Sequence, residues 1–172
     1  MLKSREHMLA HLDELGIEQH TVLHPPVFTV EQAQEHTSHL AGGHCKNLFL
    51  KDKKGRLWLV TCLDEQRVDI NRLAKLLGAA RLSFANALLL DEVLGVAPGS
   101  VTPLAIVNDS ASRVTAVLDT KLLAHAQVNC HPLENDATTT LASADLLRFI
   151  RATGHEPVLL DLDLTLAPEV PA

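Results

Sequence analysis

Apolar positions recur at helical spacing near the start of the chain. Met8, Leu12 and Leu15 share one face, with Ser4 placed to cap the helix and Gly16 to stop it. A short strand over 20–23 then runs into His24-Pro25-Pro26, which neither continues a helix nor suits a central strand. Thr29 and Gln32 have capping-box spacing and predict a helix to about His36. Beyond the turn Ala41-Gly42-Gly43, apolar runs over 46–51 and 57–60 flank the polar Asp52-Lys53-Lys54-Gly55, the pattern of a β-hairpin.

The rest of the chain alternates without a strict βαβ rhythm. Helices are predicted over 71–77 and 85–94, stopped by Gly78 and Gly95, and strands over 104–107, 114–118, 126–131 and 137–141. Ser143 is expected to cap a helix over 144–152 that Gly154 closes, before a last strand over 157–160. This order predicts one α+β domain over 1–161 around a mixed sheet, with a loose tail over 162–172.

Composition supports a folded domain, since 47% of the residues are hydrophobic and the chain suits a single core. Aromatic residues make up only 3%, which argues against a stacking platform for single-stranded nucleic acid. The net charge of −6 hides a marked asymmetry. Positions 46–81 hold nine Lys/Arg against four Asp/Glu, and the remainder six against seventeen. A basic segment on an acidic body can meet phosphate locally, although such blocks are also common on plain solvated faces.

Cys45, Cys62 and Cys130 are too few and odd in number for a disulfide framework. The first residues carry no signal-peptide pattern and no apolar run is long enough for a bilayer, so a cytoplasmic chain with reduced thiols and no membrane partner is expected.

His44-Cys45 and Cys130-His131 offer soft ligands, but strand neighbours point to opposite faces and zinc spacing is missing. Gly99-Ser100-Val101 lacks the second glycine of a nucleophile elbow, and no Walker A or dinucleotide fingerprint is present. Pro98-Gly99-Ser100-Val101-Thr102-Pro103 is a proline-bounded loop whose amides could approach a substrate, or a plain turn. Lys46 and His131, each taken alone, are unremarkable.

Together these stretches resemble the YbaK/prolyl-tRNA-synthetase-associated editing family, and within it the freestanding domains that remove alanine from tRNA for proline. The resemblance rests on four blocks in family order. They are 24–31 (HPPVFTVE), 46–52 (KNLFLKD), Gly99 to Pro103 with Asn108-Asp109, and 131–138 (HPLENDAT). It implies the family's mixed, largely antiparallel sheet surrounded by helices, and an aminoacyl-tRNA hydrolase without metal or organic cofactor. Lys46 matches the family's essential lysine, Gly99 opens its G-x-x-x-P loop and His131 is the histidine of its late H-P motif. Phe28, Thr29, Val30, Asn47, Ser100, Pro103, Asn135 and Thr138 would bind the substrate, with Phe28 and Val30 in the pocket wall.

The same resemblance implies help from the terminal ribose 2′-hydroxyl, mischarged tRNA for proline as partner, and prolyl-tRNA synthetase as a further one. Leu133 stands where many relatives carry asparagine and Asp136 where they often carry threonine, which leaves the fine substrate choice open. A cysteinyl-tRNA deacylase, a silent tRNA- or protein-binding module and a metal-dependent hydrolase stay open as alternatives.

Overall fold

A computed structural model describes residues 2–166. In chain order its elements are α1 (Arg5–Glu14), β1 (Gln19–Leu23), α2 (Val30–Thr37), β2 (Gly43–Asp52), β3 (Leu57–Leu63), α3 (Ile70–Leu77), β4 (Leu82–Phe84) and α4 (Ala87–Leu94). There follow a 3-10 turn (Pro103–Asn108), β5 (Val114–Asp119), α5 (Thr120–Leu123), β6 (Gln127–Cys130), β7 (Ala137–Ala142), α6 (Ser143–Ala152), β8 (Val158–Leu160) and a 3-10 turn (Leu162–Thr165).

The local signals explain most boundaries. The Ser4 hydroxyl accepts from the His7 amide at the start of α1, and Met8 and Leu12 are fully buried beneath it. Thr29 accepts from the Gln32 amide as a capping box requires, while the Gln32 side chain reaches one residue further back, to the Phe28 amide at 2.8 Å. Gly78 and Gly95 end α3 and α4 in the left-handed conformation.

The described strands form one mixed sheet in the order β1-β7-β6-β2-β3-β5-β8, with β4 also on β2. Four pairings are antiparallel (β1–β7, β6–β7, β2–β3, β2–β4) and three parallel (β2–β6, β3–β5, β5–β8). Helices cover both faces. One core joins α1, α4, the first 3-10 turn and α6 to Phe49, Leu59 and Leu118; the other seats α3 on Leu50, Trp58, Val60 and Cys62.

Several expectations are corrected. The run over 104–107 is not a strand but the 3-10 turn, which Pro103 opens and Thr102 caps through the Leu104 amide. Leu104, Ala105 and Ile106 are buried in succession, so an apolar run without period fitted either structure. Ser143 does not cap α6; Ala142 holds that place, and the Ser143 hydroxyl donates to the His125 carbonyl instead. The short β4 and α5 were not anticipated. Of the tail expected over 162–172, Leu162 and Thr165 are packed and fully buried, and 167–172 lies outside the described residues.

Candidate active site

The site lies where the sheet splits. β3 occupies one edge of β2 from Cys45 to Lys51. On the other edge β6 pairs only with Gly43 and His44, and β4 only with Leu50 to Asp52. Residues 45–48 therefore have no strand on that edge, and a cleft opens beside them. Gly42 makes the approach of β6 possible: with φ +102°, a Cβ there would lie 2.4 Å from the Gln127 carbonyl oxygen.

Two connected spaces fill the split. An outer cleft of about 200 Å³ is lined by Val27, Phe28, Thr29, Lys46, Asn47, Gly99 and Val101. A narrower recess of about 40 Å³ beneath α2 is lined by Gln34, Thr37, His44, Asp64, Asn129, Cys130 and Thr138. Val30, Ala33, Cys45 and His131 border both. Lys46, Gly99, His131, Phe28, Thr29, Val30 and Asn47 thus share one cleft, and Thr138 lines the recess.

Three other expected residues stand off the wall. Pro103 is buried in its turn, and Ser100 is buried with its amide donating to the Ala97 carbonyl at 3.0 Å. Asn135 works as a clamp: its side chain donates to the Val27 carbonyl at 2.7 Å, and its carbonyl accepts from the Val27 amide.

The Gly99 loop is held from the sheet. Asn47 donates to the Val101 carbonyl at 3.0 Å and accepts from the Thr61 hydroxyl at 2.7 Å, so its polar atoms serve to position the loop. Gly99 itself has φ +87°, and a Cβ there would sit 3.3 Å from the Phe28 ring. Among the described residues neither the Gly99 nor the Val101 amide donates to a protein acceptor. These two N–H groups are open donors on residues that line the cleft.

His131 is held neutral. Burial lowers its pKa below the ordinary value of 6.5, outweighing the hydrogen bond to Ala137; nearby His24 pushes it down further. Nδ1 lies 3.1 Å from the Ala137 carbonyl oxygen, which can only accept, so Nδ1 carries the proton and Nε2 is the free acceptor. His24 in turn lies 2.8 Å from the Thr138 hydroxyl and stacks on His36 with ring centres 5.9 Å apart.

The thiols of Cys45 and Cys62 are protonated at neutral pH. A hydrogen bond with Cys130, followed by burial, holds Cys45 well above its ordinary value, and burial pushes Cys62 up to about 12. His44-Cys45 and Cys130-His131 do meet at the recess, but among the described residues no three such side chains are arranged as a metal donor set.

Comparison with known proteins decides the family. The model of the aminoacyl-tRNA editing domain matches residues 24–149, which contain every residue of the cleft. The chain belongs to that family.

This editing domain is 45% identical to prolyl-tRNA synthetase associated domain-containing protein 1 of Danio rerio, over 92% of this chain and 88% of that protein. It is 34% identical to the prolyl-tRNA editing protein ProX of Acetoanaerobium sticklandii, over 90% and 94%. A solved structure described as a candidate trans-editing enzyme for prolyl tRNA synthetase shares the fold, with TM-score 0.72 at 23% identity over 94% of this chain and 98% of that one. The editing domain is an aminoacyl-tRNA hydrolase, and its family acts on mischarged tRNA. Among the described residues no helix is long and apolar enough to cross a membrane.

The two departures from the family pattern have structural counterparts. Asp136 accepts from the Arg5 guanidinium at 2.6 Å, tying α1 to the loop that carries His131. Leu133 sits at φ +71°, a left-handed conformation that asparagine adopts more readily, and burial of its side chain holds it there. Sequence reasoning missed Val27, Ala33, Cys45 and Val101 as wall residues and, Thr138 apart, the residues that line only the recess. Of these, Val27 and Val101 lay in stretches already singled out as substrate-facing.

Proposed function

We propose that this editing domain hydrolyses the alanyl ester of mischarged tRNA for proline, acting in trans in the cytoplasm. The observation that carries the reading is the convergence of an ammonium, two free backbone amides and a neutral imidazole on one cleft with an apolar wall. An aminoacyl ester is already activated, so hydrolysis needs an oriented water and donors for the developing oxyanion more than a strong nucleophile.

Lys46 holds the phosphate and ribose of the 3′ end. Among the described residues no carboxylate lies within 4.0 Å of its ammonium, so its charge is not spent internally. The amides of Gly99 and Val101 receive the carbonyl oxygen as it gains charge. Water adds to the carbonyl carbon and loses a proton, and the departing ribose 3′-oxygen gains one. The ribose 2′-hydroxyl and His131 Nε2 are the neutral acceptors that serve that transfer. The amino-acid side chain lies against Val30 and Ala33, with Phe28 at the mouth. Alanine fits the narrow recess; the ring of proline is excluded by size, as a second sieve requires.

The test is a panel of alanyl-, seryl-, cysteinyl- and prolyl-esters on one tRNA body. Fast hydrolysis of alanine with survival of proline supports the reading. Equal loss of alanine and proline overturns it, and a preference for cysteine moves the substrate within the same family.

A further inference from the structure

The aminoacyl end of the substrate is charged at two points. The phosphate of the terminal nucleotide is negative, and the α-amino group beside the ester carbonyl is an ammonium below a pKa of about 7.7–8.0. Lys46 answers the first charge. The second has a counterpart in the recess: among the described residues, Asp64 is the one carboxylate that lines either the cleft or the recess. It follows β3 directly, and its amide donates to the His44 carbonyl at 2.8 Å.

The charge of Asp64 is available. Among the described residues no Lys, Arg or His nitrogen lies within 4.0 Å of its carboxylate. The Gln34 side chain on α2 donates to Oδ2 at 3.3 Å, and Oδ1 has no protein donor among the described residues. The other polar groups of the recess are committed. The Thr37 hydroxyl donates to the Ala33 carbonyl; the Asn129 side chain donates to the Ala41 and Gly43 carbonyls and accepts from the Thr140 hydroxyl. The Thr138 hydroxyl meets His24, and His44 Nε2 faces the Leu40 carbonyl. A cation entering the recess therefore meets one anionic acceptor, already oriented from α2.

The two charges are spaced to act together. Cys62 is the cross-strand partner of Lys46, and Asp64 lies two residues beyond it, roughly 7 Å along the sheet at ~3.3 Å per residue. Ribose and ester separate a terminal phosphate from the α-nitrogen by a comparable span. Val30, Ala33 and Gln34 stand on one face of α2, so the apolar wall adjoins the donor that orients Asp64. A methyl and an ammonium adjoin in the same way on one α-carbon. Resting on the deacylase reading above, we propose that Asp64 receives the α-ammonium of the aminoacyl ester, so that the recess selects esters with a free amino group. Lys46 and Asp64 grip the two charges, and the amides of Gly99 and Val101 act on the carbonyl between them. An N-acylated end, a peptidyl ester included, or a hydroxy-acid ester leaves the Asp64 charge without its partner and binds more weakly.

The experiment compares the alanyl and lactyl esters of the trinucleotide CCA, which differ by an ammonium against a hydroxyl, on the wild-type chain and on D64N. With the alanyl ester the variant should lose about tenfold or more in kcat/KM, the scale for a lost hydrogen bond between charged groups. With the lactyl ester it should match the wild-type chain, which also shows that the variant is folded. An unchanged rate on the alanyl ester overturns the proposal, as does an equal loss on both esters at an unchanged melting temperature. A second measurement needs no variant: the unreactive alanyl and lactyl amides of 3′-amino-3′-deoxyadenosine are titrated onto the wild-type chain. Binding of the alanyl amide tighter by about tenfold supports the proposal, and equal binding overturns it. Should the wild-type chain hydrolyse neither ester, the deacylase reading fails by itself, and the amide titration then decides whether the recess recognises an ammonium.

Discussion

Lys46 and Asp52 lie on the same strand and are treated in opposite ways. Asp52 closes the hairpin turn with every lone pair engaged. Burial pushes its pKa up, but the amides of Arg56, Ala80 and Lys54 and the Arg56 guanidinium together bring it below the ordinary carboxylate value. Lys46 borders a cleft, opposite Cys62 in the β2–β3 ladder, and has no carboxylate partner among the described residues. A charge enclosed by its own backbone holds structure, whereas a charge left free beside an unpaired strand edge is available to a ligand. The two ends of β2 show both cases.

The sharpest way to break this comparison is to remove each charge. Lys46→Ala should lower deacylation by about 10²-fold or more, the scale for losing one positioned electrostatic contact, with the melting temperature unchanged. Asp52→Asn should do the reverse, lowering the melting temperature while the folded fraction keeps its kcat. A Lys46 variant that melts early, or an Asp52 variant that is stable and inactive, would reverse the assignment.

Gly99→Ala should have the next largest effect. A Cβ at φ +87° strains the loop and presses on Phe28, so the two open amides shift. A displacement near 1 Å can cost up to ~10²-fold in rate. The loss should appear in kcat with the trinucleotide ester as well as with tRNA, because the loop acts on the ester itself. Unchanged kcat would remove the loop from the chemistry.

The pH dependence tests His131. Its folded pKa lies below the unfolded value of 6.5, so the unfolded chain binds more protons between the two. The associated stability is therefore full above pH 6.5 and is lost as pH falls through the folded value. Deacylation should decline over the same window as the imidazole charges. His24→Gln should raise the His131 midpoint, read by NMR titration, because it removes a neighbouring positive charge. A midpoint above 6.5 in the unmodified chain would contradict the burial account.

The smallest effect concerns Leu133. Glycine is ordinarily ~0.5–1 kcal/mol worse than alanine inside a regular element. At φ +71° the order should invert, with Leu133→Gly at least as stable as Leu133→Ala, since both lose the buried side chain and only glycine loses the strain. The usual order in a urea denaturation series would show that the loop relaxes when the side chain is cut.

The chain's local order was legible wherever a period or a cap was present. Ser4, Thr29, Gly78 and Gly95 marked helix ends, and the polar turn at Asp52–Gly55 marked the hairpin, because these signals act through neighbouring residues. The segment 104–107 failed because burial of Leu104, Ala105 and Ile106 in succession erased its period. The three-residue β4 was too short to announce itself. Lys46, Gly99 and His131 were visible as candidates only through the resemblance of whole blocks, since each alone is an ordinary residue.

The sequence by itself determined the helices other than α5, the hairpin and the uneven charge, all of which follow from residue type and near spacing. Tertiary structure decided the rest. It placed β6 beside the first two residues of β2 and β4 beside the last three, and so left the edge between them open. It assigned Asn47 and Asn135 to holding loops, buried Ser100 and Pro103, and determined which cations meet a carboxylate. These outcomes depend on strand pairing between segments far apart in the chain, and no local pattern encodes which backbone edge is left without a partner.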